Sequence, residues 1–319
     1  KEIRTVGIVG TGQMGGGIGQ VAAQAGFSVL LYDVTQEIVE RALENIQKNL
    51  VRLTDRGKLS LDEQRAILGR LSGTSALEDL AVADVVIEAA PEEYSIKENI
   101  FRKLDQITRP EVILASNTSS ISLTELGSVT NRPEQVIGMH FMNPPGVMQL
   151  VEIVRGLATA DETYTAIDGL AKKMGKITIQ AQDYAGFVVN RILLPMINEA
   201  IYAVYEGVGT VEDIDQGMKL GTNQPMGPLA LADLIGLDTC LAVLERLQHG
   251  IWAEKQAKGF TTIVRRNSIL SSYFWTGLFQ SQEAEAAAWH AATYVSSAWV
   301  HDCALFFRSG YKDSKTSPV

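Results

Sequence analysis

The stretch Val6-Gly-Ile-Val-Gly10-Thr-Gly-Gln-Met-Gly15 places the pattern G-x-G-x-x-G between an apolar run and an Ala-rich run. A strand that turns at once into a helix needs Gly10 for the tight turn, and Gly15 lets the helix pack closely on the strand. Gly12 lets a pyrophosphate approach the backbone amides at the start of the helix. The stretch predicts a dinucleotide site, although the triplet alone is also compatible with an ordinary glycine-rich turn.

An acidic residue at the expected interval strengthens this prediction. Asp33 follows Leu31-Tyr32 at the end of the second apolar run, about 20 residues after the glycines. A carboxylate there accepts hydrogen bonds from the adenosine ribose hydroxyls and repels a 2′-phosphate, so we expect NAD rather than NADP. The alternative, an acid that only ends a strand or caps a helix, stays open. The residues expected to hold NAD here are Gly10, Thr11, Gly12, Gln13, Met14, Gly15 and Asp33.

Residues 1–184 alternate short apolar runs with amphipathic stretches, which predicts a Rossmann-type, doubly wound parallel sheet of the α/β class. The predicted strands are Thr5–Val9, Val29–Tyr32, Val85–Ala89, Val112–Ala115, Val136–Met139, Leu150–Val154 and Ile177–Gln180. The predicted helices are Met14–Ala25, Glu37–Arg56, Leu61–Leu71 and Ile96–Ile107, the third beginning with the capping box Ser60-Leu-Asp-Glu63.

After Tyr184 the pattern changes to long helical stretches without convincing strands. The predicted helices are Phe187–Glu206, Val211–Leu220 and Pro228–Leu247. We therefore predict an all-helical second domain over residues 185–319, with the boundary near Ala185.

Charge and cysteine content restrict the partners. A net charge of −9 argues against broad contact with nucleic acid or an anionic membrane, so an anionic ligand must meet a local basic patch. Cys240 and Cys303 form neither a C-x-x-C pair nor a disulfide framework, and no apolar run reaches the roughly 18 to 20 residues that span a bilayer. We expect a cytoplasmic protein with no signal peptide, although the missing initiator Met leaves a removed presequence open.

Six motifs, in order, carry a family resemblance. They are Gly10-Thr-Gly-Gln-Met-Gly15, Ala115-Ser-Asn-Thr-Ser-Ser120, Gly138-Met-His-Phe-Met-Asn-Pro-Pro145, Leu150-Val-Glu-Ile-Val154, Asp183-Tyr-Ala-Gly-Phe-Val-Val-Asn-Arg191 and Gly221-Thr-Asn-Gln-Pro-Met-Gly-Pro228. Over about residues 3–249 the chain resembles the 3-hydroxyacyl-CoA dehydrogenases. The resemblance implies NAD-dependent oxidation of a short (S)-3-hydroxyacyl-CoA such as 3-hydroxybutyryl-CoA in fatty acid metabolism, and a helical domain that carries a homodimer contact.

Oxidation of an alcohol needs a base for the hydroxyl proton. His140 is the strongest candidate, because it ends a predicted strand, where open α/β sheets bind ligands, and imidazole titrates near neutrality. A lone histidine is more often an ordinary core or surface residue, and the resemblance to the family's catalytic histidine favours the base. The resemblance also pairs Glu152 with it, whereas strand alternation alone would turn Glu152 outward.

The same resemblance implies the remaining site residues. Ser119 and Asn190 match the family's other active-site polar residues and are expected to contact substrate, although a capping hydroxyl and a helix-surface amide are the alternatives. Ser119, Glu92, Lys97 and Asn143 are expected near the ribose and nicotinamide half of NAD. A solvated helix start is the competing interpretation for Glu92 and Lys97.

A basic stripe is the candidate site for coenzyme A. Lys48, Arg52 and Arg56 recur at intervals of four and share one face of the second helix. On spacing alone, a solvated face balanced by Glu44 and Asp55 is the better interpretation. The family's CoA contacts align with Asn49 and Arg56, so we expect the acyl-CoA carrier along this stripe.

Other functions stay open at this stage. One is oxidation of a free sugar acid such as gulonate on the same fold, and another is a non-catalytic, crystallin-like role. After Gly250 the motifs stop, and residues 251–319 are unmatched to the family pattern. Their apolar residues recur at helical intervals, so we predict a packing face, with His290 and the adjacent His301 and Asp302 outside the chemistry. The sequence predicts no metal site.

Overall fold

The computed structural model describes residues 2–247. The strands are β1 (Thr5–Val9), β2 (Ser28–Tyr32), β3 (Leu71–Thr74), β4 (Val85–Glu88), β5 (Ile113–Ser116), β6 (Val136–Phe141), β7 (Leu150–Arg155) and β8 (Ile177–Gln182). The helices are α1 (Gln13–Gln24), α2 (Gln36–Asp55), α3 (Leu61–Leu68), α4 (Tyr94–Ile107), α5 (Leu123–Ser128), α6 (Asp161–Lys173), α7 (Val189–Tyr205), α8 (Val211–Gly221), α9 (Pro228–Ile235) and α10 (Leu237–Leu247). The predicted packing face after residue 250 lies outside the described residues.

One eight-stranded sheet organises the first part of the chain, in the order β3-β2-β1-β4-β5-β6-β7-β8. From β1 the chain first adds β2 and β3 on one side of the sheet and then adds β4 and the later strands on the other side. This is the doubly wound pattern that the sequence predicted. The strands from β1 to β6 pair parallel, so their carboxyl ends meet at one edge. Ligand-binding residues of such sheets collect at that edge.

The predicted doubly wound parallel sheet is confirmed for β1 to β6, and β7 departs from the parallel direction. This strand runs antiparallel to β6, and β8 runs parallel to β7. Only residues 142–149 connect β6 to β7, which is too short for the crossover that a parallel pair needs. The reversal pairs His140 directly with Glu152.

Apolar layers cover both faces of the sheet, which explains why its strands read as continuous apolar runs. On one face Ile8, Leu31 and Met139 pack with α1 residues such as Ile18. On the other face Val9, Val86, Leu114, Phe101 and Leu104 form a second layer. The two apolar layers therefore hold the strands in place from both faces of the sheet, and with them the ends of the strands.

Several elements differ from the sequence prediction. The third predicted helix ends at Leu68 rather than Leu71, and Leu71–Thr74 instead forms β3 beside β2. Helices α5 and α6 were not predicted. The last predicted helix, Pro228–Leu247, is divided into α9 and α10, because Gly236 at φ +97° interrupts it. A left-handed backbone of this kind ends a helix and favours glycine.

Residues 2–196 with 243–247 form one compact unit, and residues 197–242 form another. In the second unit Ala200, Val211 and Leu229 make a small apolar core, and Thr210 caps α8 by accepting from the Asp213 amide. The boundary near Ala185 stays a prediction. No helix within residues 2–247 is both long enough and apolar enough to cross a membrane.

Candidate active site

The glycine turn has the shape that the sequence predicted. Gly10 adopts φ +86°, and a Cβ there would lie 2.7 Å from the Ala89 carbonyl oxygen. A Cβ on Gly15 would lie 1.8 Å from the Gly10 oxygen, so the helix and the strand can meet only through glycine. Gly12, the N-cap residue of α1, has open space where a Cβ would point. The turn therefore leaves room beside a helix N-terminus, which fits the pyrophosphate of NAD.

Asp33 closes the turn from the end of β2. Its Oδ2 accepts from the backbone amide of Thr11 at 2.7 Å and from the Thr11 hydroxyl at 2.9 Å. Its Oδ1 accepts from the Val34 amide at 2.8 Å. These bonds hold a half-buried carboxylate next to the glycines, and the second acceptor position of Oδ1 is left for a ribose hydroxyl.

His140 and Glu152 lie side by side on β6 and β7 and form a buried pair. The imidazole Nδ1 lies 2.7 Å from Glu152 Oε2, and both side chains are buried. The outward orientation that strand alternation allowed for Glu152 is therefore wrong, since no part of its side chain is exposed. The reason is tertiary, because the antiparallel β7 is covered on both faces.

The backbone at the start of α7 holds the other oxygen of Glu152. Oε1 accepts from the amides of Val188 at 3.1 Å and Val189 at 3.0 Å. Phe187, at φ +49°, places its ring edge-on to the imidazole with centroids 5.5 Å apart. Because Glu152 accepts at both oxygens, Nδ1 of His140 carries the proton and Nε2 is free to act as a base.

A second polar cluster lies at the ends of β4 and β5. Glu92 Oε1 accepts from the Ser119 amide at 2.8 Å, the Ser119 hydroxyl at 3.1 Å and the Thr118 hydroxyl at 2.6 Å. Lys97 donates to Glu88 Oε1 at 2.6 Å and lies 3.3 Å from Glu92 Oε2. With Lys97 only 1% exposed, the alternative of a solvated helix start is wrong for this residue.

Ionisation in this cluster follows from burial and from Lys97. Burial opposes the charge on Glu92, but Lys97 and the hydrogen bonds from Thr118, Ser119 and Ser120 outweigh it and lower the pKa of Glu92. Burial raises the pKa of Glu88, while Lys97 acts in the opposite direction. Burial also lowers the pKa of Lys176, which directly precedes β8.

The sequence analysis missed Glu88. The available signal was an acid that ends the buried run Val85-Val-Ile-Glu88, where a charge must have a partner. The amides of Val188 and Val189 were also missed, and no side-chain pattern could have identified them.

Asn117 links this cluster to the histidine strand. Its Oδ1 accepts from the Phe141 amide at 2.9 Å, next to His140. Asn190, the second residue of α7, is half-buried and follows the amides that hold Glu152. Asn143 is exposed directly after β6, in a cis peptide with Pro144. The structure thus joins Glu92, Lys97 and Ser119 in one cluster and His140 with Glu152 in a second.

The basic stripe lies elsewhere on that unit. Lys48, Asn49 and Arg52 are exposed on α2, and Arg56 is its C-cap residue. Lys48 lies 3.5 Å from Glu44, as the solvated-face alternative required for that residue. None of the four is hydrogen-bonded to His140 or Glu152. Within residues 2–247 no group of three or more His, Cys, Asp and Glu side chains is arranged to hold a metal ion.

Two family models match the chain. The model of the 3-hydroxyacyl-CoA dehydrogenase NAD binding domain matches residues 5–184, and that of the 3-hydroxyacyl-CoA dehydrogenase C-terminal domain matches residues 186–286. The second match extends past residue 249, where the motif resemblance was expected to stop.

Individual proteins are similar over most of their length. A probable 3-hydroxybutyryl-CoA dehydrogenase of Bacillus subtilis is 54% identical over 254 residues, which are 80% of this chain and 88% of that protein. A 3-hydroxybutyryl-CoA dehydrogenase of Bradyrhizobium diazoefficiens is 49% identical over 78% of this chain and 85% of that protein. The crystal structure of (S)-3-hydroxybutyryl-CoA dehydrogenase from Ralstonia eutropha is similar at a TM-score of 0.81, with 46% identity over 84% of this chain and 94% of that one.

Proposed function

The chain belongs to the 3-hydroxyacyl-CoA dehydrogenase family of NAD-dependent enzymes, and we propose that it interconverts short (S)-3-hydroxyacyl-CoA and 3-ketoacyl-CoA, with 3-hydroxybutyryl-CoA as the substrate. The observation that carries the proposal is the 2.7 Å contact between His140 Nδ1 and Glu152 Oε2 at the sheet edge that also bears the glycine turn. A base, its partner and a dinucleotide site are the parts that alcohol oxidation requires.

His140 is the proton acceptor. With its proton held on Nδ1 by Glu152, the imidazole presents the lone pair of Nε2 to the 3-hydroxyl. When that proton arrives, the imidazolium forms against a carboxylate that three donors already hold in place. Glu152 therefore stabilises the charged form of His140 without moving. In the reverse direction His140 returns the same proton to the alkoxide oxygen.

NAD, when bound, supplies the hydride acceptor for the carbon that carries the hydroxyl. The turn formed by Gly10, Thr11, Gly12, Gln13, Met14 and Gly15 would hold its pyrophosphate, and Asp33 would hold the adenosine ribose. Glu92, Lys97, Ser119 and Asn143 lie toward its nicotinamide half. The free space at Gly12 and the bonds between Asp33 and Thr11 support these assignments.

Ser119 and Asn190 bind the substrate around the reacting oxygen, because the Ser119 hydroxyl, once turned from Glu92, and the Asn190 amide can donate hydrogen bonds without adding charge. The nucleotide end of coenzyme A binds along the basic stripe, at Lys48, Asn49, Arg52 and Arg56. Exposed cations on one helix face suit a phosphate ligand in a chain of net charge −9.

We also propose a domain organisation, a homodimer and a cellular location for the enzyme. Residues 1–184 form the NAD-binding domain and residues 185–319 the domain that carries substrate contacts and a homodimer interface. We place the enzyme in the cytoplasm, in fatty acid metabolism.

The test follows the NADH absorbance band while the protein turns over acetoacetyl-CoA, with NADPH in place of NADH and free gulonate with NAD as the comparisons. We expect rapid NADH oxidation with the thioester, at least tenfold slower reaction with NADPH, and none with gulonate. Turnover of gulonate without turnover of the thioester would favour the sugar-acid alternative. Absence of both reactions in a folded protein that binds NADH would favour a non-catalytic role.

A further inference from the structure

The Glu88 carboxyl is completely buried at the end of β4, and the proposed function gives it no role. Three donors occupy it. Oε1 accepts from Lys97 Nζ at 2.6 Å and from the Ala90 amide at 2.7 Å, and Oε2 accepts from the Ser116 hydroxyl at 2.6 Å. Burying an acid in a core costs free energy unless donors stabilise it, and the three donors to Glu88 link it to other parts of the site.

The first connection runs through Ser116. A hydroxyl has one hydrogen, and Ser116 gives it to Glu88. Its oxygen then accepts from the Thr118 amide at 3.1 Å. Glu88 therefore fixes the direction of the Ser116 hydroxyl, and that direction leaves a lone pair for Thr118.

The second connection runs through Lys97. Its ammonium donates to Glu88 Oε1 at 2.6 Å and to the Ala90 carbonyl at 3.1 Å, and it forms an ion pair with Glu92 Oε2 at 3.3 Å. Glu92 in turn accepts from the amides of Ser119 at 2.8 Å and Ser120 at 3.1 Å. Glu88 and Glu92 therefore share the charge of Lys97, which lies near Oε2 of Glu92, while Oε1 of Glu92 accepts from the segment.

Both connections end on the same short segment. The amides of Thr118, Ser119, Ser120 and Ile121 all donate to side-chain oxygens, the last to the Thr118 hydroxyl at 2.9 Å. Side chains rather than a strand or helix ladder hold these four amides. The conformation of the segment therefore depends on the network that Glu88 anchors.

We propose that Glu88 is a positioning residue that fixes the segment 118–120 through Ser116 and through the Lys97–Glu92 pair, and thereby places the Ser119 hydroxyl. The inference rests on the proposed function, in which Ser119 contacts the reacting oxygen. Glu88 itself touches neither substrate nor cofactor in this scheme.

The testing variant is Glu88→Gln, which keeps size and shape. The Gln carbonyl replaces Oε1, so its NH2 must face Ser116 and can only donate there. The Ser116 oxygen then receives two N–H groups and its own hydrogen loses its acceptor. At the same time Lys97 keeps only one carboxylate, Glu92, and draws it away from the segment.

The first measurement is amide hydrogen exchange of the peptide that covers residues 116–122. Glu88→Gln should speed exchange at these amides about tenfold, the usual effect of losing one charged hydrogen bond. Ser116→Ala, a milder second variant, should speed exchange at Thr118 alone. The matched control is Asp168→Asn, because Asp168 also joins an ammonium and a hydroxyl, from Lys172 at 2.7 Å and Thr178 at 2.6 Å. It should leave residues 116–122 unchanged.

The second measurement is a double-mutant cycle on kcat with acetoacetyl-CoA. Glu88→Gln should lower kcat about tenfold in the parent, yet less than about threefold when Ser119 is already Ala. Unchanged exchange in Glu88→Gln, or an equal loss of kcat in both backgrounds, would overturn the proposal. If the parent does not turn over acetoacetyl-CoA, the proposed function fails, while the exchange result still decides whether Glu88 positions the segment.

Discussion

Replacing Glu152 by Gln probes the catalytic pair most sharply, because the surroundings leave the new amide only one favourable orientation. Glu152 Oε1 accepts from two backbone amides, those of Val188 and Val189, and Oε2 faces His140 Nδ1. The Gln carbonyl must take the place of Oε1, since an NH2 there would face two N–H groups. Its NH2 therefore faces Nδ1 of His140 and donates to it.

This orientation reverses the imidazole tautomer. Nδ1 becomes an acceptor, so the proton moves to Nε2 and the lone pair needed for the substrate hydroxyl is lost. In the reverse direction the imidazolium would direct its Nδ1–H at the NH2 group. The same acid-to-amide change in a serine protease lowers kcat about ten-thousandfold, and general acid–base groups contribute about a hundredfold or more. We expect Glu152→Gln to lower kcat at least a hundredfold in both directions.

The assay combines kcat with acetoacetyl-CoA, NADH affinity by fluorescence, and the ¹⁵N shifts of the His140 ring. NADH affinity should stay within about twofold, since Glu152 contacts no part of the glycine turn. The ring shifts should report a proton on Nε2 in place of Nδ1. Asp168→Asn, which also changes one acid to an amide in this unit, should keep kcat near the parent value. A folded Glu152→Gln protein with kcat within threefold of the parent would refute this assignment of roles.

Three further variants test other parts of the molecule. Asp33→Ser should weaken NADH and admit NADPH, so the ratio of their kcat/KM values should fall at least tenfold, and an unchanged ratio would contradict the ribose contact. Arg56→Ala should raise KM for acetoacetyl-CoA but not for a truncated thioester without the nucleotide, whereas Arg41→Ala, an exposed control on the same helix, should change neither. Burial opposes ionisation of Asp105, but Arg132 and Asn131 lower its pKa, so its contribution to stability should disappear as the pH falls below about 4. Asp105→Asn should lower Tm at neutral pH and flatten the acid decline, and an equally steep decline would contradict this.

The sequence by itself determined the parts of the site that depend on local geometry. Gly10 and Gly15 predicted the turn because no other residue fits a left-handed backbone or a close helix contact there. The spacing to Asp33 and the strand-end position of His140 follow from the regular alternation of strands and helices. These features depend on residues that are near one another along the chain.

Only the tertiary structure decided which partner each buried polar side chain of the site has. Glu152 meets His140 because β7 reverses direction, and β-strand alternation cannot tell a buried face from an exposed one when helices cover both. A solvated helix start was the competing interpretation of Lys97, yet the fold buries this residue between Glu88 and Glu92. Such partners are distant in sequence, and a hydrogen bond depends on positions within a few tenths of an ångström, which only the packed core sets.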